Sequence, residues 1–322
     1  MAAWQDPASI DKILRQYERR IRDLFLIAID EYLDEMTTSK IMDLLSSGQI
    51  RQALEKATQV AAATANASQG AFLAAAEATA AYIQAGSIMT VGFDQTNARA
   101  LHILQKNKLE FIQGFTDQQF RATNRALVDG MRDGVGPRTM ARNFRQSIGL
   151  TEKQYQAVDN YRKLLQRIGW EDVPKRDQRE ALSRALRDKR HDRRILRSIR
   201  GEEKIPAAQI EKMVARYHQN SIKRRAETIA RTEALSGVHG GQEAAMDDAI
   251  GNGAVDRQDI IQKWNTAMDG RQRDAHAELH GTSVPWGDPW VNEIGPIHYP
   301  GDRSADVGNI INCRCVRTIR LK

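Results

Sequence analysis

The stretch that decides the reading of this chain is Lys263–Gly281, KWNTAMDGRQRDAHAELHG, which closes on His298–Cys315, HYPGDRSADVGNIINCRC. An irregular connection rich in Trp, Pro and Gly joins the two. Three of the seven histidines and both cysteines fall inside the whole stretch 263–315. Everything upstream reads as helix. The expectation is a mainly α protein: a long-helix N-terminal region followed by a small α+β C-terminal module. Three parts are expected: 1–90, a helical N-terminal arm; 91–224, a helical middle region with a basic helix; and 225–322, the C-terminal module.

Moving outward, the 322 residues suffice for two domains with their own cores. Only 6% are aromatic, which favours slender Ala/Leu helix contacts over a thick sandwich core. A net charge of +7 draws the protein toward polyanions at modest salt. No apolar run approaches the ~20 residues of a membrane span, and the opening MAAWQDPAS lacks a signal pattern. Synthesis in a cytosol, with reduced cysteines, is expected.

Ile10, Ile13, Leu14, Tyr17, Ile21, Leu24 and Phe25 recur at helical spacing, and Pro7 suits a first helical position. A short helix is expected over 40–46, stopped by Gly48, then an Ala-rich helix over 50–83. Ala85-Gly-Ser and Val91-Gly-Phe mark a loop. Residues 99–108 and 116–131 read as two helices, and 138–148 as another. Thr151 with Gln154 forms a capping-box pattern opening a helix to about Ile168, ended by Gly169-Trp170 and Pro174. Residues 175–200 form the most basic run and read as an amphipathic helix or hairpin. Its arginines Arg184, Arg187, Arg190, Arg193, Arg194 and Arg197 are either a solvated face with Asp–Arg pairs or a contact for DNA phosphates or an acidic partner. Without aromatic interleaving, any nucleic-acid contact should be nonspecific. Residues 207–237 read as one or two helices, interrupted at Gly240-Gly241. No internal repeat is visible.

In the C-terminal stretch a strand is expected before Trp264. Asp269 with Gln272 suggests a capped helix running to Leu279, with Gly281 as its left-handed stop. Arg273, His276 and His280 then share one face. Cys313 and Cys315 are one residue apart, which suits a shared metal better than a mutual bond. Two thiolates with His276, and with His280 or Asp269 or Asp302 as a further ligand, fit tetrahedral zinc. Two buried reduced cysteines beside a core histidine, or a redox-active pair, remain alternatives. No Gly-rich phosphate loop, Gly-x-Ser-x-Gly elbow or His-Glu-x-x-His is present. A nuclease or ADP-ribosyltransferase-like enzyme using His276 with Asp269 or Arg273 is the catalytic alternative. A DNA-binding regulator acting through 175–200 is the third reading.

Ala230-Arg-Thr-Glu233, Lys263-Trp264, Asp269-x-Arg271-x-Arg273-x-x-His276-x-x-Leu279-x-Gly281, Tyr299-Pro-Gly-Asp302 and Asn312-Cys-Arg-Cys315 occur in that order. This set, over roughly 225–320, resembles the phage Mu F-like head morphogenesis (minor head protein) family. The matching positions are Trp264, Asp269, Arg271, Arg273, His276, Gly281, Pro300, Gly301, Asp302, Asn312, Cys313, Arg314 and Cys315. His280 lies outside the pattern, and Trp286-Gly-Asp-Pro-Trp290 departs from the usual connection. The resemblance implies a low-copy virion component of the capsid interior or portal vertex, assembled in the host cytoplasm. It also implies the portal protein as partner, with major capsid or scaffolding protein and nonspecific DNA as further candidates. Some related domains carry toxin modules; the chain ends soon after Cys315, and none is expected.

Overall fold

The computed structural model describes residues 5–86, 91–94, 97–169 and 173–322; the turn markers Ser87 and Trp170 lie outside them. The chain is mainly α, with small antiparallel sheets near its C-terminus. No helix among the described residues is long and apolar enough to cross a membrane. Two compact units interleave along the sequence: Met1–Phe25, Ala61–Ile112 and Ala226–Lys322 form one, Leu26–Val60 and Gln113–Arg225 the other.

The long helices begin and end where the local chemistry directs. Helix α1 (Pro7–Glu35) starts at Pro7, where Asp6 accepts the Ala8 and Ser9 N–H groups at 3.1 Å each. α2 (Thr38–Ser46) is capped by Thr37 and stopped by Gly48 in the left-handed region. The Ala-rich segment is one unbroken helix, α3 (Ile50–Gly86). Two helices were expected over 99–131, yet α4 (Ala98–Arg132) runs straight through Gly114. A mid-helix glycine costs only about 1 kcal/mol, and the adjacent Phe115 is buried under the Arg225 guanidinium at 4.6 Å.

In the second unit, α5 (Pro137–Ser147) packs on α2, and α6 (Glu152–Arg167) opens with both bonds of the Thr151–Gln154 capping box. Its Tyr161 stacks on Tyr217 at 4.6 Å. The expected basic helix is instead broken into α7 (Lys175–Gln178), α8 (Glu180–Ser183), a 3-10 turn at Lys189–His191 and α9 (Asp192–Ile199). The cause is local: Asp188 accepts the Arg190 N–H and opens a new turn, a competition that short acidic side chains often win.

In the first unit the expected break at Gly240-Gly241 does not occur. α10 (Ala207–Gly251) continues through it for 45 residues. The glycines face α3: a Cβ on Gly237 would sit 3.0 Å from Ser68 O, and one on Gly241 only 2.2 Å from Phe72 O. They permit close backbone contact with the small residues of α3.

Beyond α10, β1 (Ile260–Asn265) is the middle strand of a three-stranded antiparallel sheet, between β2 (Ser283–Pro285) and β5 (Val316–Leu321). β3 (Trp290–Asn292) and β4 (Gly295–Ile297) form a separate hairpin. The β1 register pairs Trp264 with Arg317. Ile260, Gln262 and Trp264 are buried while their neighbours are half-buried, a period-2 pattern. Two short helices, α11 (Asp274–Ala277) and α12 (Val307–Ile310), complete the module.

Under this sheet His239 is fully buried; its Nδ1 lies 2.6 Å from Gln242 Oε1, and its Nε2 takes the Arg317 N–H. Burial, assisted by the Arg317 charge, pushes its pKa down to about 3. The unfolded chain therefore takes up this proton first, near pH 6.5. Stability contributed by the neutral imidazole is complete above that pH. It falls as the pH drops toward 3, by up to about 1.4 kcal/mol per unit. Urea unfolding between pH 7 and 4 should show this slope, and His239→Gln should flatten it; an unchanged slope would show that His239 does not govern it.

Candidate metal centre

The C-terminal motif residues converge because the chain between β1 and β2 is tied shut at Trp264. Trp264 N–H donates to Thr282 O at 3.0 Å, and Gly281 N–H donates back to Trp264 O at 2.8 Å. Gly281 adopts the left-handed φ of +79° expected for it, but the helix expected to reach Leu279 ends already at Ala277. The predicted capping box is not formed. Asp269 instead accepts the Arg271 N–H and pairs with Arg314, and α11 begins after Arg273. A half-buried ion partner on the opposite loop, Arg314, outcompetes the local cap.

α11 places His276 at 1% exposure, edge-on to Trp264 at 5.4 Å. Trp264 in turn meets Trp290 at 5.3 Å. The second loop arrives through Asn312, whose φ of +59° is one that asparagine tolerates. Its N–H donates to Thr232 Oγ1 and its side chain accepts from Arg231 Nη1. Arg273 reinforces the approach by donating to Ile311 O. This turn delivers Cys313 and Cys315 beside the imidazole: His276 Nδ1 lies 3.5 Å from Cys313 Sγ and 3.6 Å from Cys315 Sγ. The three donor atoms lie within 4.8 Å of one another, close enough to bind one metal ion.

The spacing has a chemical meaning. Zinc bonds of ~2.3 Å to sulfur and ~2.05 Å to nitrogen at the tetrahedral angle put N and S about 3.6 Å apart. The donors already stand on such edges. Their electrostatics agree: the hydrogen bond between the thiols lowers the Cys315 pKa against the pull of burial. The same bond, with burial, raises Cys313. A pair that shares its remaining proton is primed to exchange it for a cation.

The other candidate ligands stand apart. His280 is exposed, and its Nδ1 accepts the Thr266 N–H at 3.0 Å. Through that bond it supports Thr266, whose hydroxyl donates to His276 O at 2.6 Å and lies 3.6 Å from Cys315 Sγ. Asp302 accepts from Ser304 and His298 instead; these bonds outweigh burial and lower its pKa. Pro300-Gly301 presses on α10, where a Cβ at Gly301 would sit 2.9 Å from Ser236 N. Arg303 beside it reaches Ser236 Oγ and the buried Glu233. Arg271 is exposed. Trp286, left without a role by the sequence, is buried and donates to Asp247.

Sequence reasoning missed Thr266, Asn292 and Asn309. Asn309 is fully buried and lies 3.0 Å from His276 Nε2. Asn292 ends a three-residue strand and Asn309 lies in a four-residue helix, elements too short to carry a periodic signal that could have marked them.

In the basic stretch five of the six candidate arginines already face carboxylates. Arg184 meets Glu180, Arg187 meets Asp192, Arg190 meets Asp188, and Arg194 and Arg197 share Glu203. Arg193 is exposed.

A family model described as phage Mu protein F like protein matches residues 122–318. The matched stretch begins well upstream of the motif residues and takes in the middle helices as well as the C-terminal module. No curated protein and no solved structure matches the chain.

Proposed function

The chain belongs to the phage Mu protein F like family, and from that membership we propose that it is a minor head protein, built into the phage head beside the portal during procapsid assembly. The match over residues 122–318 carries this reading, since the family is one of structural phage head proteins. The protein should co-purify with the portal protein and be present at low copy in mature particles. Absence from both procapsids and particles would remove the reading.

Within that role, the His276–Cys313–Cys315 cluster is a zinc staple. It holds the loop after β1 to the loop before β5, and the near-complete burial of all three donors suits an architectural ion. Elemental analysis should find about one zinc per chain, lost in the Cys313→Ser/Cys315→Ser double variant together with a fall in thermal stability. A metal-free protein with unchanged stability would reject the staple.

Three protein donors are also the count of a catalytic zinc site, and a cavity of about 330 Å³ adjoins Cys313. That observation favours hydrolysis as the second reading. Phosphodiester turnover by the zinc-loaded protein, abolished in a folded His276→Ala variant, would establish it. Among the described residues no carboxylate joins the donor group to act as base, and the architectural reading is preferred.

Any DNA contact is nonspecific. Because five of the six arginines of 184–197 must first leave their carboxylates, binding should be weak at physiological salt, steeply salt-dependent and indifferent to sequence. Tight, sequence-selective binding in a filter assay would contradict this.

A further inference from the structure

We infer that Asn292 and Asn309 are positioning residues of the metal centre, fixing the His276 proton on Nε2 so that Nδ1 presents a lone pair to the two thiols. The inference follows from a chain of donors and acceptors whose far end is backbone and therefore cannot be reversed.

Asn292 Oδ1 accepts the N–H groups of Ile294 at 2.9 Å and Gly295 at 3.2 Å. Two backbone donors define that atom as the amide oxygen. The opposite end of the amide is then the NH2 group, and it lies 3.0 Å from Asn309 Oδ1. Asn309 Oδ1 is accordingly an acceptor, with its own Nδ2 directed to Gly295 O at 3.4 Å. His276 Nε2 approaches that same oxygen at 3.0 Å and must donate to it. A neutral imidazole has one ring proton. With that proton held on Nε2, Nδ1 is the acceptor that faces Cys313 Sγ and Cys315 Sγ.

The β3–β4 turn thus dictates a tautomer in α11. No proton has to move between ring nitrogens when an ion arrives, and the ring is held at the angle the ion needs. Partners of this kind on a ligating histidine commonly govern metal affinity by 10–100-fold.

The ring-proton assignment stands on the metal-free protein alone; only its effect on affinity rests on the zinc reading above. Full-length, reduced, metal-stripped protein labelled with nitrogen-15 should show His276 as the Nε2–H tautomer in long-range proton–nitrogen spectra. Zinc addition should shift Nδ1 and leave Nε2 protonated. Zinc competition with a chromophoric chelator should show Asn309→Leu weakened about 10–100-fold. Asn309→Asp keeps an oxygen toward both His276 and Asn292 and should stay within about tenfold of the parent. Circular dichroism confirms that each variant folds. An Nδ1–H tautomer in the metal-free parent overturns the inference. So does coordination through Nε2, or an Asn309→Leu affinity equal to the parent's. Should Asn309→Leu fail to fold, the parent's tautomer and the Asn309→Asp affinity still decide. A parent that binds no zinc overturns the staple, and the tautomer then judges the asparagine relay by itself.

Discussion

Gly241→Ala is expected to destabilise the protein by about 3 kcal/mol or more, the upper range for overpacking one methyl group. The new Cβ would fall 2.2 Å from Phe72 O and 3.0 Å from Ala76 N. Those are backbone atoms of α3, which no rotamer change can move. α3 and α10 would have to separate, opening contacts around Ala71, Leu235 and Val238 in the buried core. The neighbouring glycines supply graded controls. At Gly237 the Cβ meets Ser68 O at 3.0 Å, a closer fit than usual but not an overlap, so a smaller loss is expected. At Gly240 it meets only the Phe72 ring at 3.5 Å. Gly240→Ala should be neutral, or stabilising by up to about 1 kcal/mol from helix propensity. Urea unfolding of the three variants tests the order, and a Gly241→Ala variant as stable as Gly240→Ala would refute the close approach of the two helices.

Arg317→Ala should cost about 3–5 kcal/mol, the range for stranding one partner of a buried ion pair. The guanidinium is 1% exposed; it donates to Glu243 at 2.6 Å, Gln262 Oε1 at 3.2 Å and His239 O at 3.0 Å. Trp286 and Tyr299 flank it at 4.7 and 5.0 Å. Truncation leaves those acceptors unpaired and a gap between the rings. Arg317→Met with Glu243→Leu removes both charges and fills most of the volume, and should recover most of the loss. Thermal unfolding of the single and double variants measures the coupling. Equal losses in Arg317→Ala and the double variant would show that the ion pair is not what the site depends on.

The cost of disturbing Gly241 and Arg317 could not have been read from either residue. Gly240-Gly241 looked like an interruption because glycine weakens a helix locally. Their actual role depends on a backbone far away in the chain, in α3. Arg317 shares its strand face with the buried Ile319 and Leu321, but an arginine by itself reads as a solvated side chain; only the acceptors on α10 let its charge stay inside. The failed cap at Asp269 has the same origin. Capping boxes such as Thr151–Gln154 form when no outside partner competes, whereas Asp269 meets Arg314 across the loop.

What the sequence determined by itself was whatever depends on near neighbours or on intrinsic chemistry. Helix content, the starts at Pro7 and Thr151, the stop at Gly48 and the left-handed turn at Gly281 are local, because backbone hydrogen bonds and φ preferences act over a few residues. The zinc-capable identity of His276, Cys313 and Cys315 was legible because few side chains offer soft donors. Only the tertiary structure decided which donors meet. It set His280 and Asp269 aside, turned Asn309 toward Nε2, and let α3 and α10 touch backbone to backbone. Such choices depend on distances between segments tens to hundreds of residues apart, and packing sets those distances.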